Sequence, residues 1–564
     1  MTNLLKKTFT LLVATILGTS AGLIAQTHDD GLAAMQLKEW DKAIEVYTAL
    51  TKADPTDQPA WLTLGSAYLA NGNKEKAQAT FEKAFEAKAE GGYAMVATGR
   101  ILLLQNKYAD ADEVFQRTKR KFGKKDIDIK RLIGESFLYN VPGEKPNFTR
   151  AEEELKEAMD ISSKDFRTLM TLAYCYKEMP NGGLAAQHYE YAVHQEPKNS
   201  LAMFMLAKVY RAAKIYDKFL DYVDRTIALK PNYTEALRAK AEFLYFDRKW
   251  EKATEAAKAL VNSGPGVTIE DEMLLANLLY ITKDCKGCSA LVDKILKKDG
   301  SKNYLRRLQA YCNYDNGQYK EGLKILEDFF KQVTPDKVLP SDYEYLGRLQ
   351  INTGGDTAAA IANFRKVIDL DSSKWTLHEE IAKLYYGAKD YCNAANAFQS
   401  YIDSLSDKQA MVNSYYSMGL SHYFCTADDS LHYIKAEKAF EKLTEFLPEA
   451  SVGWLWLAKS AKNRDPDVVA NPELIDQFGA AKDAYEKYAA IASEDSEKNK
   501  RDLIDAYGYL SYYHFSRKED EKALENIDKL LALDPENESG LGMKEAIKAE
   551  VPTAPVNGGG KGKK

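Results

Sequence analysis

Small and apolar residues recur along this chain with a step of about 34 residues rather than in isolated runs. With each period numbered from Gln58, position 8 falls on Gly65, Gly99, Gly134, Ala173, Ala207, Ala241, Ala276, Ala310, Gly347, Ala382, Gly419, Ala458 and Ser511, all of them small. Position 20 falls on Ala77, Ala111, Ala151, Ala185, Phe219, Ala253, Cys288, Gly322, Ala360, Ala394, Ala436, Ala481 and Ala523, with short insertions between some periods, and only Phe219 is large. Two antiparallel helices that cross closest at these positions explain the pattern, because a larger side chain there would overpack the crossing by roughly 1–3 kcal/mol. One further period lies upstream, where Trp40, Ala43, Tyr47 and Pro55 take positions 17, 20, 24 and 32.

Within the second period Trp61, Leu64, Gly65 and Tyr68 stand in the order W-x2-L-G-x2-Y, and Ala77 and Phe81 follow at the A-x3-F spacing. This resembles the tetratricopeptide repeat. The resemblance implies an all-α, right-handed α-solenoid of about 14 helical hairpins with a C-terminal capping helix. A single hairpin cannot bury its apolar face, so stacking supplies the core, and the several domains suggested by length collapse to one array. The repeats are expected near 24–57, 58–91, 92–125, 127–165, 166–199, 200–233, 234–268, 269–302, 303–339, 340–374, 375–411, 412–450, 451–503 and 504–537, with the capping helix at 538–549. Three stretches break the step between the two helices of a repeat: Asn140 to Arg150, Thr426 to Tyr433, and Asn463 to Asn471. The first two read as tolerated loop length. Asn463 to Phe478 is long enough to carry a role.

Residues 1–25 are set apart, with a short basic start and then an uncharged apolar run from Thr8 to Ala25. This is the pattern of a secretory signal, with Ala25/Gln26 as the expected cleavage point and an uncleaved anchor as the alternative. The expected location is therefore outside the cytoplasm, in the periplasm or envelope of a bacterium. Residues 550–564, with three closing lysines, read as a flexible tail. Basic and acidic residues number 77 and 83, so the balance offers no polyanion-binding surface and nucleic acid is not an expected partner. The 6 cysteines are too few for a disulfide-built scaffold.

No H-E-x-x-H, G-x-x-x-x-G-K or G-x-S-x-G is present, so neither catalysis nor a cofactor or metal site is expected. His422 and His514 share position 11 and read as packing residues. Acidic runs such as Glu152 to Glu154 read as solvated helix faces.

In the family that the repeats resemble, the first helix of each pair lines a concave surface. The positions that point there carry Tyr174, Lys208, Arg211, Arg238, Tyr245, Tyr280, Tyr304, Arg307, Tyr311, Tyr314, Tyr345 and Arg348, among others. The alternation of tyrosine and cation suits an interface, and the expected function is a non-enzymatic scaffold that holds a partner protein or extended peptide in this groove, in secretion or envelope assembly. Tyrosines that merely pack the repeats are the competing reading. Glycan capture and a purely structural envelope scaffold are the alternatives at the level of function.

Export allows oxidation. Cys392 starts the second helix of its repeat and Cys425 ends the first helix of the next, which brings them within disulfide reach. Cys288 is open to a bridge with Cys312, a bridge with Cys285, or life as a buried thiol, and Cys175 is expected to stay reduced and buried.

Overall fold

The computed structural model describes residues 27–139, 145–425 and 431–550. The expected signal segment, the tail past residue 550, and parts of the first two insertions lie outside the described residues. Among those described there are 29 α-helices and no strands. Consecutive helices pair as antiparallel hairpins, beginning with His28–Leu37 against Trp40–Ala53 and Gln58–Ala70 against Lys74–Ala87. The chain divides into two compact units, Met1–Leu291 and Val292–Lys564. The core of the first is largest around residues 138–239. In the second, smaller clusters follow one another along the chain.

The small residue at position 8 has a direct steric cause. A Cβ at Gly65 would lie 2.2 Å from the Phe81 ring, one at Gly99 would lie 2.2 Å from Phe115, and one at Gly419 would lie 2.6 Å from Phe440. Each ring stands at or near position 24 of the same hairpin and fills the space that a side chain at position 8 would need. Phe219, the one large residue at position 20, is fully buried. Its hairpin carries Val223 where others carry an aromatic, so bulk is exchanged between neighbouring positions of one helix. The Phe219 ring meets Phe243 edge-on at 5.1 Å.

The turn inside ten of the hairpins uses one recurrent conformation. Lys38, Asn106, Lys214, Arg248, Lys283, Lys389 and Lys518 all stand at position 15 and have φ between 57° and 63°, and Gly72, Gly317 and Gly354 take the same place with φ of 79°, 74° and 70°. The following amide bonds back across the helix end, as in Ile215 N–H to the Tyr210 carbonyl at 2.9 Å and Lys107 N–H to Leu102 at 2.9 Å. This is the Schellman closure, which satisfies carbonyls that the helix end leaves open.

Several elements depart from the expected frame. Residues 300–305 form a 3-10 turn before the helix Arg306–Asp315, so the ninth hairpin starts late. The helix Ser496–Ser516 starts well before the expected residue 504. No Gly or Pro interrupts residues 493–503, and Asp495 caps the early start. Asn463 to Phe478 is tied down rather than open. The Asp465 carboxylate accepts from the amides of Gly479 and Ala480 at 2.9 and 2.8 Å and from the Tyr509 hydroxyl, while Phe478 packs against Tyr509. Glu154 is not a solvated acid: it is 1% exposed and paired with Lys119 and Arg150, each at 2.8 Å. His514 is buried, with Nδ1 2.7 Å from the Glu519 carboxylate.

Cys392 and Cys425 form a disulfide with α carbons 4.9 Å apart. Cys288 is a free buried thiol, which removes both bridges considered for it, whereas Cys285 and Cys312 are disulfide-bonded. Cys288 fills the small position 20 of its hairpin, where packing rather than pairing sets its surroundings. Cys175 is free and buried, and burial pushes its thiol up to about 12.

Candidate partner-binding faces

In the first unit the concave positions of the fifth hairpin, Phe166–Glu178 and Gly182–Gln195, do not face an open groove. The helix His28–Leu37 lies against them. Leu32, Ala33 and Leu37 pack on the core that contains Tyr174, and Tyr174 is 4% exposed. The Gln36 side chain, 4% exposed, donates to the Met170 carbonyl at 3.0 Å and accepts from the Tyr189 hydroxyl at 2.7 Å. Lys38 pairs with Glu178 at 2.8 Å, and Lys42 with Glu235 at 3.5 Å. The Lys177 ammonium sits 4.6 Å from the centre of the Tyr174 ring. Burial raises the Tyr174 hydroxyl above the ordinary tyrosine range.

What stays open in this unit is a depression of about 460 Å³ between Leu37 and Glu39 on one side and Phe204, Lys208, Arg211, Phe219, Arg238 and Glu242 on the other. Lys208 is exposed there, its ammonium held below the ordinary lysine range by burial of its surroundings and by Lys38 and Arg211. Arg211 lies 3.7 Å from Glu242. Arg238 is committed within the chain: Nε and Nη2 donate to the Asp271 carboxylate at 2.8 Å each, and Nη2 also donates to the Gly266 carbonyl at 2.7 Å. Tyr245 is half-buried, edge-on to Phe246 and Trp250, while Phe246 is 77% exposed. Tyr280 is half-buried with the Lys283 ammonium 5.4 Å from its ring centre.

The second unit repeats the arginine device. Arg307, 8% exposed, lies 3.3 Å from Asp342, which is fully buried and also accepts from the Tyr311 hydroxyl at 2.5 Å and the Leu339 amide at 2.7 Å. Burial raises the Asp342 carboxyl above the ordinary range. Asp271, by contrast, is held below it although burial works the other way, because Arg238 and the Thr268 amide both bond to it. In both cases an arginine at position 5 holds an aspartate at position 3 of the next repeat, and that aspartate also closes its own helix start. Arg348 likewise reaches Glu380 at 2.9 and 3.0 Å and Glu344 at 3.1 Å. Tyr311 stacks on Tyr345 with ring centres 3.9 Å apart, and Tyr314 stands edge-on to Tyr345 at 5.3 Å. Tyr304 falls on the 3-10 turn instead of a helix, and its carbonyl accepts from Arg307 at 3.0 Å.

The ladder of tyrosines and cations therefore divides into two classes. Arg238, Arg307 and Arg348 hold carboxylates of the chain itself. Lys208 faces solvent, while the Phe204 and Phe219 rings beside it are buried. Gln36, Met170 and Tyr189 form a contact absent from the sequence reading, because no local spacing announces which repeats meet across a groove.

Two family models described as tetratricopeptide repeat match residues 34–97 and 181–234. Those two stretches are tetratricopeptide repeats. Similar curated proteins include the BBSome complex member BBS4 of Bos taurus, 25% identical over 170 residues, which are 29% of this chain and 31% of that protein. Tetratricopeptide repeat protein 6 of Homo sapiens is 24% identical over 229 residues, 39% of this chain and 43% of that one. The chain thus spans less than half the length of the curated relatives it matches. Among solved structures, the C-terminal part of a tetratricopeptide-repeat protein from Cytophaga hutchinsonii is 24% identical, covering 48% of this chain and 97% of that chain at a TM-score of 0.32. YrrB, described as having an unusual peptide-binding site, is 19% identical, covering 35% of this chain and 99% of its own at a TM-score of 0.23. Among the described residues no group of three or more His, Cys, Asp or Glu is placed to hold a metal, and no helix is long and apolar enough to cross a membrane.

Proposed function

We propose that this chain is a protein-interaction scaffold whose first unit takes an extended segment of a partner in the depression beside Phe204, Lys208 and Phe219. The observation that carries this reading is the one cation of that face left for a ligand: among the described residues no carboxylate lies within ion-pair distance of Lys208, while Arg238 is fully engaged. A partner segment with an acidic side chain for Lys208 matches that chemistry. The reading includes export to a bacterial envelope, supported by the uncharged apolar leader and by disulfides of a kind that persist in oxidising compartments.

The test is capture from envelope extract by full-length protein, followed by affinity measurement with the captured partner. Lys208→Glu should weaken binding by about tenfold or more, roughly 1.4 kcal/mol, without changing helical content. Equal affinity of wild type and this variant would remove the depression from the interface.

A further inference from the structure

The face against which the helix His28–Leu37 lies is a ready-made helix-binding surface, and the contacts of that helix describe what it recognises. Leu32, Gln36 and Leu37 project from it at i, i+4 and i+5, and Lys38 follows at its C-terminus. The two leucines cover apolar surface. Gln36 meets a donor and an acceptor presented by the fifth hairpin, the Tyr189 hydroxyl and the Met170 carbonyl. Lys38 answers Glu178. This set of shape, polar and charge complements is the way a short amphipathic helix sits in a groove.

The seam also differs from the inside of a repeat. Protein interiors rarely hold voids larger than a water molecule. Along this seam lie a cavity of about 50 Å³ lined by His28, Gln36, Arg131 and Tyr174, and, open to solvent, a cleft of about 500 Å³ flanked by Leu32, Leu37 and Tyr233 and the 460 Å³ depression. Two buried polar atoms on its walls, Arg131 Nε and the Tyr233 hydroxyl, have no hydrogen-bond partner among the described residues. The helix has 10 residues, and its other face packs within its own hairpin through Gly31, Ala34 and Met35, where a Cβ at Gly31 would lie 2.5 Å from the Tyr47 ring.

We infer that the helix His28–Leu37 is an intramolecular stand-in for a partner: it detaches from the fifth to seventh hairpins and is replaced by an amphipathic helix carrying the same apolar, glutamine, apolar, basic series. This rests on the partner-binding reading above but concerns a different part of the face, so the Lys208 test and the one below succeed or fail separately.

The experiment uses full-length protein and a fluorescein-labelled peptide of residues 27–39. In the Leu32→Asp/Leu37→Asp chain the native helix is expelled, and the peptide should bind in trans at least about tenfold more tightly than it binds wild type, where the face is occupied. The Gln36→Ala peptide should bind that variant about fivefold more weakly, the loss of one buried hydrogen-bonded amide. A folded variant that does not take up the peptide, or equal binding to both chains, overturns the inference. Hydrogen exchange on wild type provides the second measurement, independent of the variant's folding. Amides of residues 28–37 should exchange at least about tenfold faster than those of 166–178. Equal protection of the two segments would mean that the helix leaves only when the core unfolds, which also overturns it.

Discussion

At the scale of single residues, the left-handed position that closes ten of the hairpins combines two opposing costs. An L residue in this conformation costs about 1–2 kcal/mol, yet the chain places Lys or Arg there in six hairpins and Asn in a seventh. Glycine would remove that cost but would add about 0.4–1 kcal/mol of unfolded-chain freedom. The balance favours glycine. Lys214→Gly should therefore raise the urea midpoint, by about 0.5–1 kcal/mol of stability, whereas Ala213→Gly next to it, where φ is −77°, should lower it by about the same amount. Opposite shifts of the two midpoints are the expected outcome, and a fall in both would show that position 15 carries no strain.

At the scale of the hairpin, the crossing positions were legible because their cause is local. A ring at position 24 excludes a side chain at position 8 of the same repeat, so the small-residue rhythm reads directly as helix pairs. The turn conformation was not legible, since lysine carries no signal for positive φ, and neither was the burial of Glu154, which depends on Lys119 in the preceding repeat. The arginine ladder was visible as a pattern, but its purpose was not: position 5 holding position 3 of the next repeat needs the stacking offset between hairpins.

The Cys392–Cys425 bridge belongs to this scale as well, because it joins the start of the helix Tyr391–Ile402 to the end of the neighbouring helix Lys408–Phe424 across a separation of 33 residues. In the chain-entropy account a loop of that length is worth between about 3 and 4.7 kcal/mol. Cys392→Ser/Cys425→Ser should lose about 3 kcal/mol of protection in residues 391–424, read by hydrogen exchange. Unchanged protection would mean that packing alone sets the register of these two repeats.

At the scale of the whole array, each unit is described by how far its contacts reach. Side-chain hydrogen bonds within the second unit, such as Tyr509 to Asp465 at 44 residues, join neighbouring repeats. A stack held in this way behaves as a one-dimensional chain of coupled elements, in which a disturbance at one end decays from repeat to repeat. The closing helix Glu538–Glu550 supplies that end. Its Met543 and Ile547 are 7% and 3% exposed and bury the outer face of the helix Asp520–Leu533 through Ala523 and Ile527. Ile547→Ala removes about 2–5 kcal/mol of burial and cavity-free packing if the site cannot collapse, and less if it can. Protection should fall most in residues 520–533, less in 496–516, and not at all in 391–402, which lie three hairpins away and carry the disulfide. A uniform loss across 391–533 would instead identify the second unit as one cooperative block, and the nearest-neighbour description would fail there.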